Sequence, residues 1–280
     1  MTRSSHAYAI RGGLAGLLIA AAMLPGTSVA GAAAAVPMAS HHAIYKLSLL
    51  KAKGANAPAS AVGVIDYNFS GSACDGYTTT FRQLTELQPS EGDARVNDLR
   101  STTFEEANGS QFSFKTTTRN DNDVVTDVDG RARKLPDGEA SVELKTPPGR
   151  ATLGDDILFP TEHLRRIIGV AEAGGKLLEA KVYDGSDTGK KVFRTLTVIG
   201  RPIDAPSQDP VGAADGLKTV RRWPVSISYF DKGKEDAPDY ILSFDLYENG
   251  ISRALKLDYG DFVLEGDLTD LTVKAPSPCK

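Results

Sequence analysis

The sequence predicts an all-β fold: a long antiparallel sheet of about twelve to fourteen strands coiled into a spiral-like barrel, with one amphipathic helix over about 161–173. Three observations carry this. From Ala43 onward apolar and polar residues alternate in short runs, the period-two pattern of strands with one buried face. Gly, Asn and Asp pairs interrupt those runs at hairpin spacing. A single later segment changes to helical periodicity.

The chain opens with the three parts of a secretory signal. Arg3 and Arg11 supply the basic region, Leu14 to Leu24 the apolar run, and Ser28-Val29-Ala30 a small-x-small cleavage site. This predicts a signal peptide over residues 1–30, with Ala33-Ala34-Ala35 as a later alternative, and one domain over 31–280. The apolar run is shorter than the ~20 residues a spanning helix needs. An uncleaved anchor is the lesser reading, and the protein is expected to be exported and not membrane-spanning.

The strands follow in order. Ala43 begins the first; Ile65, Tyr67 and Phe69 form one face of the second; Tyr77 to Leu87 is Thr-rich, which suits a pleated surface. Turns are expected at Asn108-Gly109, Asp129-Gly130, Asp137-Gly138 and Asp184-Gly185. Phe159-Pro160-Thr161 then opens the helix. Leu164, Ile167, Ile168 and Ala171 share one face, Glu162, Arg165, Arg166 and Glu172 the other, and Gly174-Gly175 ends it. Burial across or inside one end of the barrel is the expectation for such an apolar stripe.

Pro202 to Gly216 reads as a long loop within the domain, because strands of the same style resume beyond it. Tyr240, Leu242, Phe244 and Leu246 alternate before Asn249-Gly250. Leu255, Leu257 and Tyr259 follow, Gly260 turns the chain, and Phe262 and Leu264 begin the last strand of a meander. So many strands cannot stay flat, and coiling is the natural way to hide their edges.

Composition narrows function more than it names it. Signal removal takes two arginines and moves the formal charge from −4 to −6. No basic tract follows a phosphate backbone, which excludes nucleic acid as a partner. Two cysteines, Cys74 and Cys279, in an exported chain read as one structural disulfide, with intermolecular pairing through Cys279 as the alternative. Closing so long a loop is worth roughly 5 kcal/mol in the chain-entropy account. Neither cysteine sits in a Cys-x-x-Cys arrangement that would make a reactive thiolate.

The chemical motifs are weak. Asp187-Thr188-Gly189 matches an aspartic-protease triplet but has no twin and reads as turn chemistry. Asp121, Asp123, Asp127 and Asp129 suggest a hard cation, yet with Gly130 at the sixth position of a calcium loop the first would be Val125 and the twelfth Pro136. They read instead as a charged loop and a protected edge strand. His41, His42 and His163 make no zinc spacing, and no nucleophile elbow, His-Glu-x-x-His or phosphate loop is present. The single tryptophan, Trp223, reads as core or barrel rim. An aromatic content of 7% and an end in Ala275-Pro276-Ser277-Pro278-Cys279-Lys280 argue against an outer-membrane barrel.

Three stretches carry a family resemblance: Phe69-Ser70-Gly71-Ser72-Ala73-Cys74-Asp75-Gly76-Tyr77-Thr78, Asp155-Asp156-Ile157-Leu158-Phe159-Pro160-Thr161-Glu162-His163-Leu164, and Val182-Tyr183-Asp184-Gly185. Together they resemble the EipB family of periplasmic cell envelope integrity proteins, from about Ala43 to Cys279. The resemblance implies a periplasmic protein of Gram-negative α-proteobacteria with a coiled sheet and a Cys74–Cys279 disulfide. It also implies a role in the outer-membrane barrier with no catalytic residue, cofactor or metal. The expected function is therefore non-enzymatic support of the envelope, acting on envelope components or periplasmic proteins. The alternative is a lipid or lipoprotein carrier that holds acyl chains inside the barrel.

Overall fold

The computed structural model describes residues 38–54, 57–204, 211, 217–231 and 237–275. The signal segment, Cys279 and most of the Pro202 to Gly216 loop lie outside them.

The first half of the chain is a run of hairpins: β1 (His41–Ala52), β2 (Ser60–Ser72), β3 (Gly76–Gln88), β4 (Arg95–Glu105), β5 (Gln111–Asn120), β6 (Asp123–Lys134), β7 (Glu139–Thr146) and β8 (Gly149–Asp155). A two-residue strand, β9 (Ile157–Leu158), leads into α1 (Pro160–Glu172). The second half is β10 (Leu177–Val182), β11 (Phe193–Ile199), β12 (Arg222–Phe230), β13 (Tyr240–Tyr247), β14 (Ser252–Asp258) and β15 (Phe262–Val273). The expectation of about twelve to fourteen strands was thus one short. Two-residue β9 has too few positions to show any period.

All strands form one sheet. β1 pairs with β15 at its centre, the first half extends outward to β8 and the second to β9. Every pairing is antiparallel except β9 with β10. The sheet coils until its two ends meet by packing: Phe112 and Phe114 of β5, Val142 and Leu144 of β7, and Leu153 of β8 share a core with Ile157, Phe159 and Tyr183. Gly185 and Gly189, both at positive φ, let the β10–β11 loop approach this core closely. A Cβ at Gly185 would strike Phe114, and one at Gly189 would strike Val128 and Leu144.

The helix lies where its stripe predicted. Ile167, Ile168 and Ala171 pack on Ile199, Trp223, Val225, Phe244 and Leu246, so one end of the barrel is filled. Trp223 is 2% exposed and is a core residue. Pro160 occupies the first helical turn, where a missing N–H costs nothing. Phe159 before it offers no capping oxygen. The free N–H groups of Thr161 and Glu162 instead donate to Oε2 and Oε1 of Glu105 at the end of β4, each at 2.8 Å.

Two expectations need correction. Asp129-Gly130 is no turn: both residues lie inside β6, where the register with β7 shifts between them. Leu144, Phe114 and the Glu143 carbonyl crowd Gly130, so a glycine is required there for packing space. Asp129 does not mark an edge either, since there β6 pairs with both β5 and β7, whereas Asp127 lies where β6 pairs with β5 alone, as the protected-edge reading expects.

Candidate functional site

The inward residues leave a cavity of about 590 Å³ between the helix and the opposite end of the barrel. Tyr45, Ile65, Tyr67 and Phe81 line it from β1 to β3, and Ile227, Tyr229, Tyr240, Leu242 and Phe244 from β12 and β13. Pro160, His163, Leu164 and Ile167 form its helical floor. This volume lies within the roughly 300–1,000 Å³ of small-molecule sites.

The end away from the helix is ringed by aromatic side chains. Phe193, Tyr229, Tyr240, Tyr259 and Phe262 follow one another with centroid separations of 5.7, 5.7, 5.2 and 5.0 Å. Tyr259 and Gln83 are shared with a second cavity of about 510 Å³ at the strand ends, lined also by Arg95, Asn97, Asn120 and Asp121. Gln83 donates to the Tyr259 hydroxyl at 3.4 Å. The aromatic rim therefore divides an apolar interior from a polar mouth.

A third chamber of about 290 Å³ opens off the main one and shares Tyr67, Phe81, Leu99, Pro160, Leu164 and Asp184 with it. Its wall is rich in hydroxyls because the inward faces of β4 and β5 carry Ser101, Thr103 and Thr116 where a packed barrel would carry aliphatics.

Burial disfavours the charged forms of the ionisable groups around the lumen. His163 is pushed down to about 4, and its Nε2 meets no hydrogen-bond partner among the described residues. His41 is also lowered, and its Nδ1 lies 2.8 Å from the Ala39 carbonyl oxygen. Burial raises Tyr67 to about 12 and pushes Tyr45 and Tyr240 upward as well. It raises Asp184 too, against the Ser186 N–H that donates to its Oδ1 at 2.9 Å. Glu105 rises to about 7 because its desolvation outweighs the two helical N–H groups that favour the carboxylate.

The protein-family comparison matches the family described as EipB-like over residues 32–275. The chain belongs to the EipB-like family. Among curated proteins, "Cell envelope integrity protein EipB" of Brucella abortus (strain 2308) is 39% identical over 246 residues, which cover 87% of each chain. Among solved structures, the crystal structure of a β-barrel-like protein of a domain of unknown function from Brucella abortus matches with a TM-score of 0.81. Identity there is 37%, over 86% of this chain and all of that one.

The EipB-like chain places the residues singled out in its sequence as follows. Cys74 sits in the exposed turn between β2 and β3, where its N–H donates to Ser72 Oγ at 3.2 Å; Cys279 lies outside the described residues. Asp187 is exposed and lies 3.8 Å from Lys191, which also pairs with Asp231 and Asp239 at 3.2 and 3.4 Å, so it belongs to a surface ion-pair cluster. Asp121 holds the start of β4, accepting the Val96 N–H at 3.0 Å. His41 and His163, which fit no metal-binding spacing in the sequence, both line the cavity. The helical spacing carried a signal for His163, since it lies four residues before Ile167 on the buried face.

Proposed function

We propose that this chain is a non-enzymatic periplasmic protein that maintains the cell envelope by holding the apolar part of an envelope molecule inside its barrel. The cavity of about 590 Å³ carries this reading: it is lined by aromatic and aliphatic side chains, and the helix fills one end. The name of the Brucella relative supports the envelope role.

The charged outer surface supports a protein that works in water. Asp66, Arg82 and Arg100 stand side by side across the middles of β2, β3 and β4, and Asp98 bonds both arginines on the same outer face. A lipid-facing barrel would carry an apolar band there. No helix among the described residues is long and apolar enough to cross a membrane. Residues 1–30 are read as the export signal, with cleavage as late as 35, and 31–280 as the working domain.

One disulfide, Cys74–Cys279, belongs to the proposal. The path of the last strand favours it: the Lys274 N–H donates to the Ser40 carbonyl at 2.7 Å, and Ser40 Oγ donates to the Gly71 carbonyl at 3.3 Å, three residues before Cys74. The remaining five residues to Cys279 can span what is left at roughly 3.3–3.6 Å each.

Native mass spectrometry of protein made in the periplasm, with organic extraction, tests the whole reading. The expected mass is two hydrogens below the reduced mature chain, plus a reproducible acyl species. Leu242→Trp, which fills the cavity, should abolish the acyl species and keep the fold. A clean apo mass under gentle ionisation would overturn lumen binding and leave a surface role as the surviving reading.

A further inference from the structure

The lumen is apolar on one side only, and the other side says what the ligand carries at its polar end. Thr79, Ser101, Thr103, Thr116 and Thr161 face the chamber of about 290 Å³, with Asp184 on the boundary shared with the main cavity. Ser101 Oγ and Thr116 Oγ1 lie 3.1 Å apart, and Thr116 and Thr161 are only 6% and 7% exposed. Hydroxyl rotors of this kind can donate or accept as a guest requires.

His163 adds an independent pointer. It is 4% exposed, it lines the main cavity where the chambers join at Pro160 and Leu164, and its Nε2 has no partner among the described residues. Buried polar atoms are almost always satisfied, so this one awaits a group that arrives with the occupant.

Among the described residues lining the two chambers, none is Lys or Arg. A carboxylate or phosphate head would enter this buried space with no countercharge. A neutral head bearing several hydroxyls meets only complementary groups.

We propose that the lumen takes a single-chain amphiphile with a neutral, hydroxyl-bearing head group, its acyl chain in the main cavity and its head among Thr79, Ser101, Thr103 and Thr116, within reach of His163. This rests on the reading of the lumen as an acyl-binding cavity and deepens it. The polar mouth at Arg95 and Asp121 then serves as the entry path, its two charges paired with each other at 3.5 Å.

The test is competition against a neutral fluorescent probe, N-phenyl-1-naphthylamine, bound to the mature protein. Monopalmitoylglycerol, palmitate and palmitoyl-lysophosphatidate are compared at pH 7, all with one acyl chain. The glyceride should displace the probe at about tenfold lower concentration than either anion. The double variant Ser101→Ala, Thr116→Val should keep probe binding, which reports an intact main cavity, and lose the preference for the glyceride. Equal competition by the anions would overturn the neutral-head assignment while leaving the carrier reading in place. A preference that survives the double variant would overturn the placement of the head. A protein that binds neither probe nor any of the three amphiphiles would overturn the carrier reading itself.

Discussion

The two ends of the barrel meet the same problem, an open tube of inward side chains, with opposite solutions. At one end the helix drives Ile167, Ile168 and Ala171 into Trp223, Phe244 and Leu246, and the interior becomes a close-packed core. At the other, no helix among the described residues enters the tube, and a file of aromatic rings from Phe193 to Phe262 stands around the space. Strands of similar length and alternation run through both ends. A coiled sheet therefore does not by itself decide between core and container: the inserted helix decides.

The sharpest way to break this comparison is to hollow out the filled end. Trp223→Ala should cost about 3–5 kcal/mol, because a fully buried ring leaves a cavity that its rigid neighbours cannot close. Denaturant unfolding followed by circular dichroism measures it. A loss below about 1 kcal/mol would mean that the helical end is loosely packed and the contrast false.

A smaller effect tests how the helix is held. Glu105 reaches Thr161 and Glu162 from β4, so the cap is tertiary and couples helix docking to the charge on one carboxyl. Its folded pKa, about 7, lies above the ordinary 4.5, so the native state binds the proton more tightly than the unfolded chain. This group's contribution to stability is greatest below about pH 4.5 and is lost as pH rises through 7. The total across that window is at most ~3 kcal/mol. His41 and His163, lowered by burial, act in the opposite sense over part of the same range. Comparison of wild type with Glu105→Gln by thermal melts at several pH values removes the histidine contribution, which both proteins share. The wild-type advantage should shrink steadily from pH 4.5 to 7.5, and a constant difference would show that Glu105 does not titrate there.

Much of the fold was legible because alternation is local. Tyr240, Leu242, Phe244 and Leu246 do share a face, and the helix begins at Pro160, one residue before its expected start. What was hidden depends on partners far along the chain. Asp129-Gly130 has turn chemistry, but the space needed beside Phe114 and Leu144 is set by the neighbouring strands. Glu105 looks like any acid at a strand end until the helix N-terminus arrives from more than fifty residues away. The candidate site was the least legible part. Threonines in β3 to β5 suit a solvated face and an inward face equally well, and only the barrel's closure shows Thr79, Thr103 and Thr116 lining a chamber.

The smallest effect on stability, and the one that most sharpens the contrast between the ends, belongs to Tyr259→Ala. Tyr259 is 38% exposed and stacks between Tyr240 and Phe262 at 5.2 and 5.0 Å, so its removal should cost only about 1 kcal/mol. Its position is the point of interest, since with Gln83 it separates the apolar cavity from the polar mouth. If the open end is the ligand's route, removing the ring lowers the barrier to entry and exit together. Stopped-flow mixing with the naphthylamine probe should then show association and dissociation both several-fold faster, with Kd almost unchanged. A ring that served mainly as a contact would behave differently: its loss would speed dissociation alone and weaken Kd by the same factor.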